Sequence, residues 1–230
     1  MWNNKLKAVT FSFDDGVTQD IRLIEMLDKY GLKTTFNLNS AFLGHVDMSG
    51  RKDPRSKVKA EDVARIYRNH EIASHTLTHP YLTTLSDEEI LYQILQDQKN
   101  LSELCGYDIV GLAYPGGGEK NNNKYVADFI HKNTSIQYAR TITSTYDFEL
   151  REDLFRFDPT IQICETDKMF ELAHEFIEMK TDTPKLLYLW GHSYEFDLND
   201  TWDTMEEFCK LISGHNDMFY GTNKEVLLAG

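Results

Sequence analysis

AVTFSFDDGVTQDIRLIEMLDKYG, residues Ala8–Gly31, contains a complete strand–helix unit. Ala8 to Asp14 is an apolar, aromatic and β-branched run, the composition of a buried strand. The run ends in a carboxylate pair, Asp14 and Asp15, followed by Gly16. Ile21, Leu23, Ile24, Leu27 and Tyr30 then recur at helical spacing, and Gly31 stops the helix.

The same alternation continues along the chain. TTFNLN, EIASH, IVGLAYP, IQYART and KLLYLWGH read as strands, with a last short strand near DMFYGT. KAEDVARIYRNH, KYVADFIHKN, DKMFELAHEFIEMK and WDTMEEFCKLIS read as helices. The clearest helix is LSDEEILYQILQDQKNLSELCGY, where Ser86 and Glu89 form a capping box and Gly106 closes the C-terminus. Repeated strand–helix units predict an α/β fold with mostly parallel strands and outer helices. Their number in 230 residues favours a closed or nearly closed barrel, with an open sheet as the alternative. No repeat or linker divides the chain, so residues 1–230 are expected to form a single domain. The polar stretch 44–58 is expected to be an insertion loop near a site mouth.

Composition narrows the partners. Hydrophobic residues make up 41% and aromatic residues 12%, enough for a substantial core. Net charge is −13, from 37 acidic against 24 basic residues, and no basic cluster resembles a nucleic-acid footprint. No stretch approaches the roughly 18 apolar residues of a membrane span. The start, MWNNKLKAVTFSF, lacks the apolar core of a signal peptide, and three scattered cysteines suggest no disulfide framework. Both point to a cytoplasmic setting, although a processed secreted form would look the same. Oligomeric state leaves no signature.

In a parallel barrel, chemistry gathers where strands end. The first strand delivers Asp14 and Asp15, the third His75 and His79, GLAYPGGG a glycine-rich turn, and LLYLWGHSYEF His192. Asp-Asp-Gly is also ordinary turn chemistry, and a lone His-x3-His pair is an ordinary surface feature. Thr76 stands where a zincin would carry glutamate, which excludes that site. Taken together, Asp15, His75 and His79 make a two-histidine, one-carboxylate site with open positions, and Asp14 is free to act as a base. His192, leaving an apolar strand beside Gly191, suits a general acid or a partly buried structural histidine. His45, His70, His131, His174 and His215 read as surface residues.

Asp-Asp-Gly after a strand, the histidine pair, a Pro-Gly turn and a late apolar strand ending in histidine resemble the polysaccharide deacetylase family. This is the NodB homology group, or carbohydrate esterase family four. The resemblance runs from AVTFSFDDG to LLYLWGHSYEF. It implies a distorted (β/α) barrel of the NodB type and a divalent metal, commonly Zn2+, with Co2+, Ni2+ or Mn2+ as other occupants. Carried over, Asp15, His75 and His79 would be the metal ligands, Asp14 the general base and His192 the general acid. The turn at Tyr114, Pro115 and Gly116 would hold the substrate and stabilise the oxyanion.

The third motif departs from the family pattern: Ala113 and Gly116 occupy its arginine and aromatic positions. Arg140, in YART, is a candidate for the missing arginine that orients the aspartate, and Asp147 a weak match to the family's fourth motif. The resemblance implies hydrolysis of acetyl groups from N-acetylated amino sugars or oligo- and polysaccharides. The alternatives are an O-acetyl xylan esterase, a cyclic-amide hydrolase, or a carbohydrate-binding protein that has lost catalysis. A phosphoesterase lacks an evident basic clamp.

Overall fold

The computed structural model describes residues 1–229. Eight strands form one sheet: β1 (Lys7–Asp14), β2 (Thr34–Leu38), β3 (Glu71–Ser74), β4 (Gly111–Ala113), β5 (Tyr138–Arg140), β6 (Ile161–Gln162), β7 (Lys185–Gly191) and β8 (Met218–Tyr220). Their order is β5-β4-β3-β2-β1-β7-β6, and every strand pairing is parallel. The main helices outside it are α1 (Asp20–Lys29), α2 (Val63–Ile66), α3 (Asp87–Cys105), α4 (Lys124–Asn133) and α5 (Thr166–Glu178). Three more follow: α6 (Tyr194–Asn199), α7 (Trp202–Ile212) and α8 (Asn223–Leu227).

β1 organises the sheet. One edge runs beside β7 from Lys7↔Lys185 to Phe13↔Gly191. The other edge is shared, with β8 pairing at Lys7–Val9 and β2 at Phe11–Asp14. All eight β1 residues are buried, because each face meets protein. Val9, Phe11 and Phe13 join the cluster that contains Leu23 and Leu27 of α1 and Phe208 of α7. The alternate residues face the barrel interior, where Thr10 donates to Asn223 Oδ1 at 2.9 Å and Ser12 accepts from Asn37 Nδ2 at 2.8 Å. The barrel interior is therefore mixed: polar around Thr10, Ser12 and Asn37, with a smaller apolar cluster of Ala8, Tyr138, Phe157, Leu186 and Tyr188, while the main apolar layer lies between strands and helices.

The sheet closes on itself irregularly. Phe157 N–H donates to Ala139 O and Thr141 N–H to Phe157 O, each at 3.0 Å. A few residues on, Thr160 N–H donates to Tyr188 O at 2.8 Å and Ile161 pairs with Leu189. One segment thus bonds to β5 at its start and β7 at its end, while Pro159 between them has no N–H to donate. The result is a distorted (β/α) barrel, as expected from the strand–helix alternation.

Some local expectations need correction. The helix expected over KAEDVARIYRNH shrinks to a 3-10 turn, Ala60–Asp62, and the single turn of α2. Tyr67 leaves helical geometry at that point and inserts into the core, its hydroxyl donating to Asp20 Oδ2 at 2.7 Å. His70 is buried, not a surface residue: its ring stands edge-on to Phe36 at 5.7 Å and Nδ1 accepts from Thr34 N–H. β6, α6 and α8 were not expected, since each is too short to show a period.

Candidate active site

The C-terminal ends of β1, β3, β4, β5 and β7 surround one open cleft of about 510 Å3. Asp14, Asp15, His75, His79, Tyr114, Gly116 and His192 all reach it. Residues 44–58 border it, as expected, through Arg55, and Lys57 lines an adjoining pocket that shares Asp15 and Arg55.

Asp15, His75 and His79 offer one ligand atom each, all within 4.8 Å of one another. The backbone bends to achieve this: Asp15, Thr76 and His79 have φ of 83°, 64° and 59°, a left-handed region that non-glycine residues seldom adopt. Asn39 Nδ2 holds the histidine turn by donating to the carbonyls of His75 and Thr76. His75 Nδ1 meets Ala113 O at 2.9 Å, so it carries the proton and leaves Nε2 with a lone pair. Burial pushes the His75 imidazole down to about 4, keeping it neutral and able to ligate. Burial would raise the Asp15 carboxyl, but Lys57, 3.4 Å away, and then His75 hold it down at about 2. Two nitrogens and one carboxylate in this state fit a divalent cation of the zinc, cobalt, nickel or manganese type.

Asp14 is buried and fully engaged. Arg140 Nη2 donates to its Oδ1 at 2.6 Å and Oδ2 at 2.5 Å, and Asn37 Nδ2 to Oδ1 at 2.8 Å. Arg140 is itself fully buried, with Nε on Ser12 Oγ, Nη1 on Thr141 O and its guanidinium 4.7 Å from the Trp190 ring centre. Burial would raise the Asp14 carboxyl; Arg140 foremost, then His75, outweigh it and keep the group ionised. Ala113 and Arg140 are register partners on β4 and β5. Arg140 thus reaches Asp14 from the strand next to the one that carries Ala113.

His192 follows β7, where Gly191 is required by space rather than by turning: a Cβ there would stand 2.3 Å from Ile163 Cγ1. Its backbone N–H donates to Glu195 Oε2 at 3.0 Å, and its Nδ1 lies 3.4 Å from the same oxygen. Burial alone would lower the His192 imidazole; Glu195, then Asp14, more than offset this and raise it above the ordinary value.

In the glycine-rich turn, Tyr114 N–H is spent on Arg140 O and Pro115 has none, which leaves Gly116 as the first backbone donor. Gly116 has φ +78°, and a Cβ there would meet the Tyr81 ring at 2.3 Å. Tyr81 therefore occupies the space beside the position where the family pattern carries its aromatic residue. The structure does not bring Asp147 to the cleft: it pairs with Arg151 at 2.6 Å on the surface, next to Phe148, whose carbonyl accepts from Leu186 near the start of β7. That is the wrong end of the barrel for catalysis. Sequence reasoning missed Asn37, Lys57 and Glu195. Asn37 was within reach, since it ends β2 in register with Asp14.

Comparison with known proteins gives the same fold. The Polysaccharide deacetylase family model matches residues 3–134, more than half of the chain. The peptidoglycan-N-acetylglucosamine deacetylase PgdA of Listeria monocytogenes is 29% identical over 127 residues, covering 54% of this chain and 24% of that protein. The chain thus spans about a quarter of the length of this curated relative. A family 4 acetyl xylan esterase from Clostridium thermocellum, solved with a cobalt ion, superposes with a TM-score of 0.56 at 16% identity, over 96% of this chain and 91% of that one. A CE4 family pseudoenzyme from Bacillus anthracis gives 0.57 at 16% identity, over 97% and 66%. These two likenesses show the barrel; the sequence match from β1 through α4 assigns the lineage. With its Asp-Asp-Gly strand end and paired histidines on that barrel, the chain belongs to the polysaccharide deacetylase family.

Proposed function

We propose that residues 1–230 form one catalytic domain that hydrolyses the acetamide of N-acetylated amino sugars, as monosaccharide, oligosaccharide or polysaccharide. The observation that carries this reading is the Asp14 carboxylate, kept ionised chiefly by Arg140 and positioned by Arg140 and Asn37 at the edge of the Asp15–His75–His79 cluster. Asp15, His75 and His79 would hold a divalent cation, most simply Zn2+. Such a cation, when bound, polarises the acyl oxygen and makes water a better nucleophile at neutral pH.

The chain's own residues supply the proton traffic. Asp14 accepts a proton from the attacking water through a carboxylate oxygen that Arg140 and Asn37 hold in place. Gly116 N–H donates to the oxygen that becomes negative as the carbonyl carbon turns tetrahedral. His192, kept basic by Glu195 and Asp14, holds a proton that it gives to the departing amine. Arg140 on the aspartate favours this reading over an inert carbohydrate-binding protein. An ester acyl group would be cleaved by the same groups, and removal from xylan is the second reading.

The test is acetate release from N-acetylglucosamine oligomers and from acetylated xylan, with Zn2+ or Co2+ added. Release from the amide substrate is expected to dominate. Asp14→Asn with its metal content unchanged should lose about 10^2–10^4-fold in kcat. Full activity in that variant would exclude Asp14 as the base.

A further inference from the structure

Beside the proposed metal ligands stands a charge that cation binding does not call for. The Lys57 ammonium lies 3.4 Å from Asp15 Oδ1 and donates to Asp15 O at 2.8 Å. Both side chains are largely removed from water, with 12% and 15% exposure.

The backbone places it there. Val58 N–H donates to Gly16 O at 3.0 Å, and Thr18 N–H to Ser56 O at 2.8 Å. Lys57 itself bridges Val17 in antiparallel fashion, and its N–H donates to His45 O at 2.8 Å. The segment from Ser56 to Val58 is therefore laced along the turn that carries Asp15, and the ammonium is aimed at that carboxylate.

On the reading of Asp15, His75 and His79 as a metal site, two cations must share one carboxylate. Without the ion, Lys57 neutralises Asp15 and fixes the carbonyl of a residue in strained geometry. A bound cation would repel the ammonium, because both charges would act on one carboxylate in partly dry protein, where Coulomb forces are weakly screened. We propose that Lys57 is a built-in counter-ion that opposes the metal. It holds Asp15 ready in the metal-free protein, weakens cation binding, and leaves the loaded site more positive where the acyl oxygen must sit. Metal loading and the Lys57–Asp15 contact are then negatively coupled, so each weakens the other.

The Zn2+ dissociation constant, measured by competition with a chromogenic chelator, tests this on the full chain. Lys57→Met removes the charge and keeps the apolar stem; it should bind Zn2+ at least about tenfold more tightly than wild type. Its melting temperature should also rise more on Zn2+ addition than that of wild type. Lys57→Arg keeps the charge and should stay within about threefold of wild type. Should Lys57→Met fail to fold, Lys57→Gln retains a donor to the Asp15 carbonyl and should show the same tightening. Unchanged or weaker binding in the uncharged variants would mean that Lys57 only staples the loop, and would overturn the inference. Failure of the wild type to take up Zn2+, Co2+, Ni2+ or Mn2+ is a different result: it would overturn the metal-site reading, and this inference with it.

Discussion

At the scale of single residues, the most informative position is Arg140. The register pair Ala113↔Arg140 shows that a guanidinium can reach the same aspartate from the neighbouring strand, provided that the barrel interior has room. The room comes from Ser12, a small side chain facing inward, and from Trp190, whose ring stacks against the guanidinium. Removing one partner of a buried ion pair leaves the other charged, dry and alone. Arg140→Ala should therefore cost about 3–5 kcal/mol in denaturant unfolding and abolish turnover. Arg140→Lys keeps the charge but loses the planar group that also donates to Ser12 Oγ and Thr141 O, and should recover only part of each. Asp14, Asp15, His75 and His192 were legible because each lies at the end of a strand-like run, and His79 because it stands four residues beyond His75. Lys57 and Glu195 were not, because nothing in their local sequence distinguishes them from other charged residues.

At the scale of elements, α3 links stability to the site. Its capping box forms as read, with Ser86 accepting from Glu89 N–H and Gly106 in left-handed geometry at φ 76°. Beyond its own length, α3 supports the histidine turn. Asp97 accepts from Ser74 Oγ at 2.6 Å and from Ser40 N–H at 2.7 Å, and Gln93 O accepts from Leu77 N–H at 3.0 Å. Ser74 precedes His75, so loosening Asp97 should loosen a ligand without removing it. Asp97→Ala is expected to stay folded and to bind Zn2+ about tenfold more weakly, as read by chelator competition; Asp97→Asn should bind nearly as wild type. The opposite failure of legibility is α2, where a helical composition over twelve residues yields a single turn. Tyr67 was read as part of a helix face, but a hydrogen bond to Asp20, 47 positions away, decides its geometry.

At the scale of the whole molecule, buried carboxyls set how stability varies with pH. Burial raises Asp20 to about 7 and Asp97 to about 6, and it raises Glu71 in the same sense. Hydroxyl partners, Ser193 and Tyr67 for Asp20, only partly offset that burial. The folded protein thus keeps a proton that the unfolded chain releases near its ordinary value of 3.8. Each such group favours folding less as pH rises through the interval between the two values, and its effect levels off above the folded value. Asp14 and Asp15 are shifted downward and act in the opposite sense, only at lower pH. Between about pH 4 and about pH 8, wild type should lose on the order of 3 kcal/mol more than Asp20→Asn, measured by urea unfolding at each pH. Parallel profiles would show that Asp20 is ionised in the folded protein. The sequence by itself determined the strand–helix alternation, the capped helix and the acidic and histidine residues at the strand ends. Those are properties of short windows, where side-chain period and turn chemistry act between near neighbours. Only the tertiary structure decided that Arg140 holds Asp14 across 126 positions, that Lys57 shares Asp15, that Asp147 lies away from the cleft and that the segment around Phe157 closes the barrel. Such contacts depend on strand register and sheet curvature, which arise from the packing of the whole chain and from no local pattern.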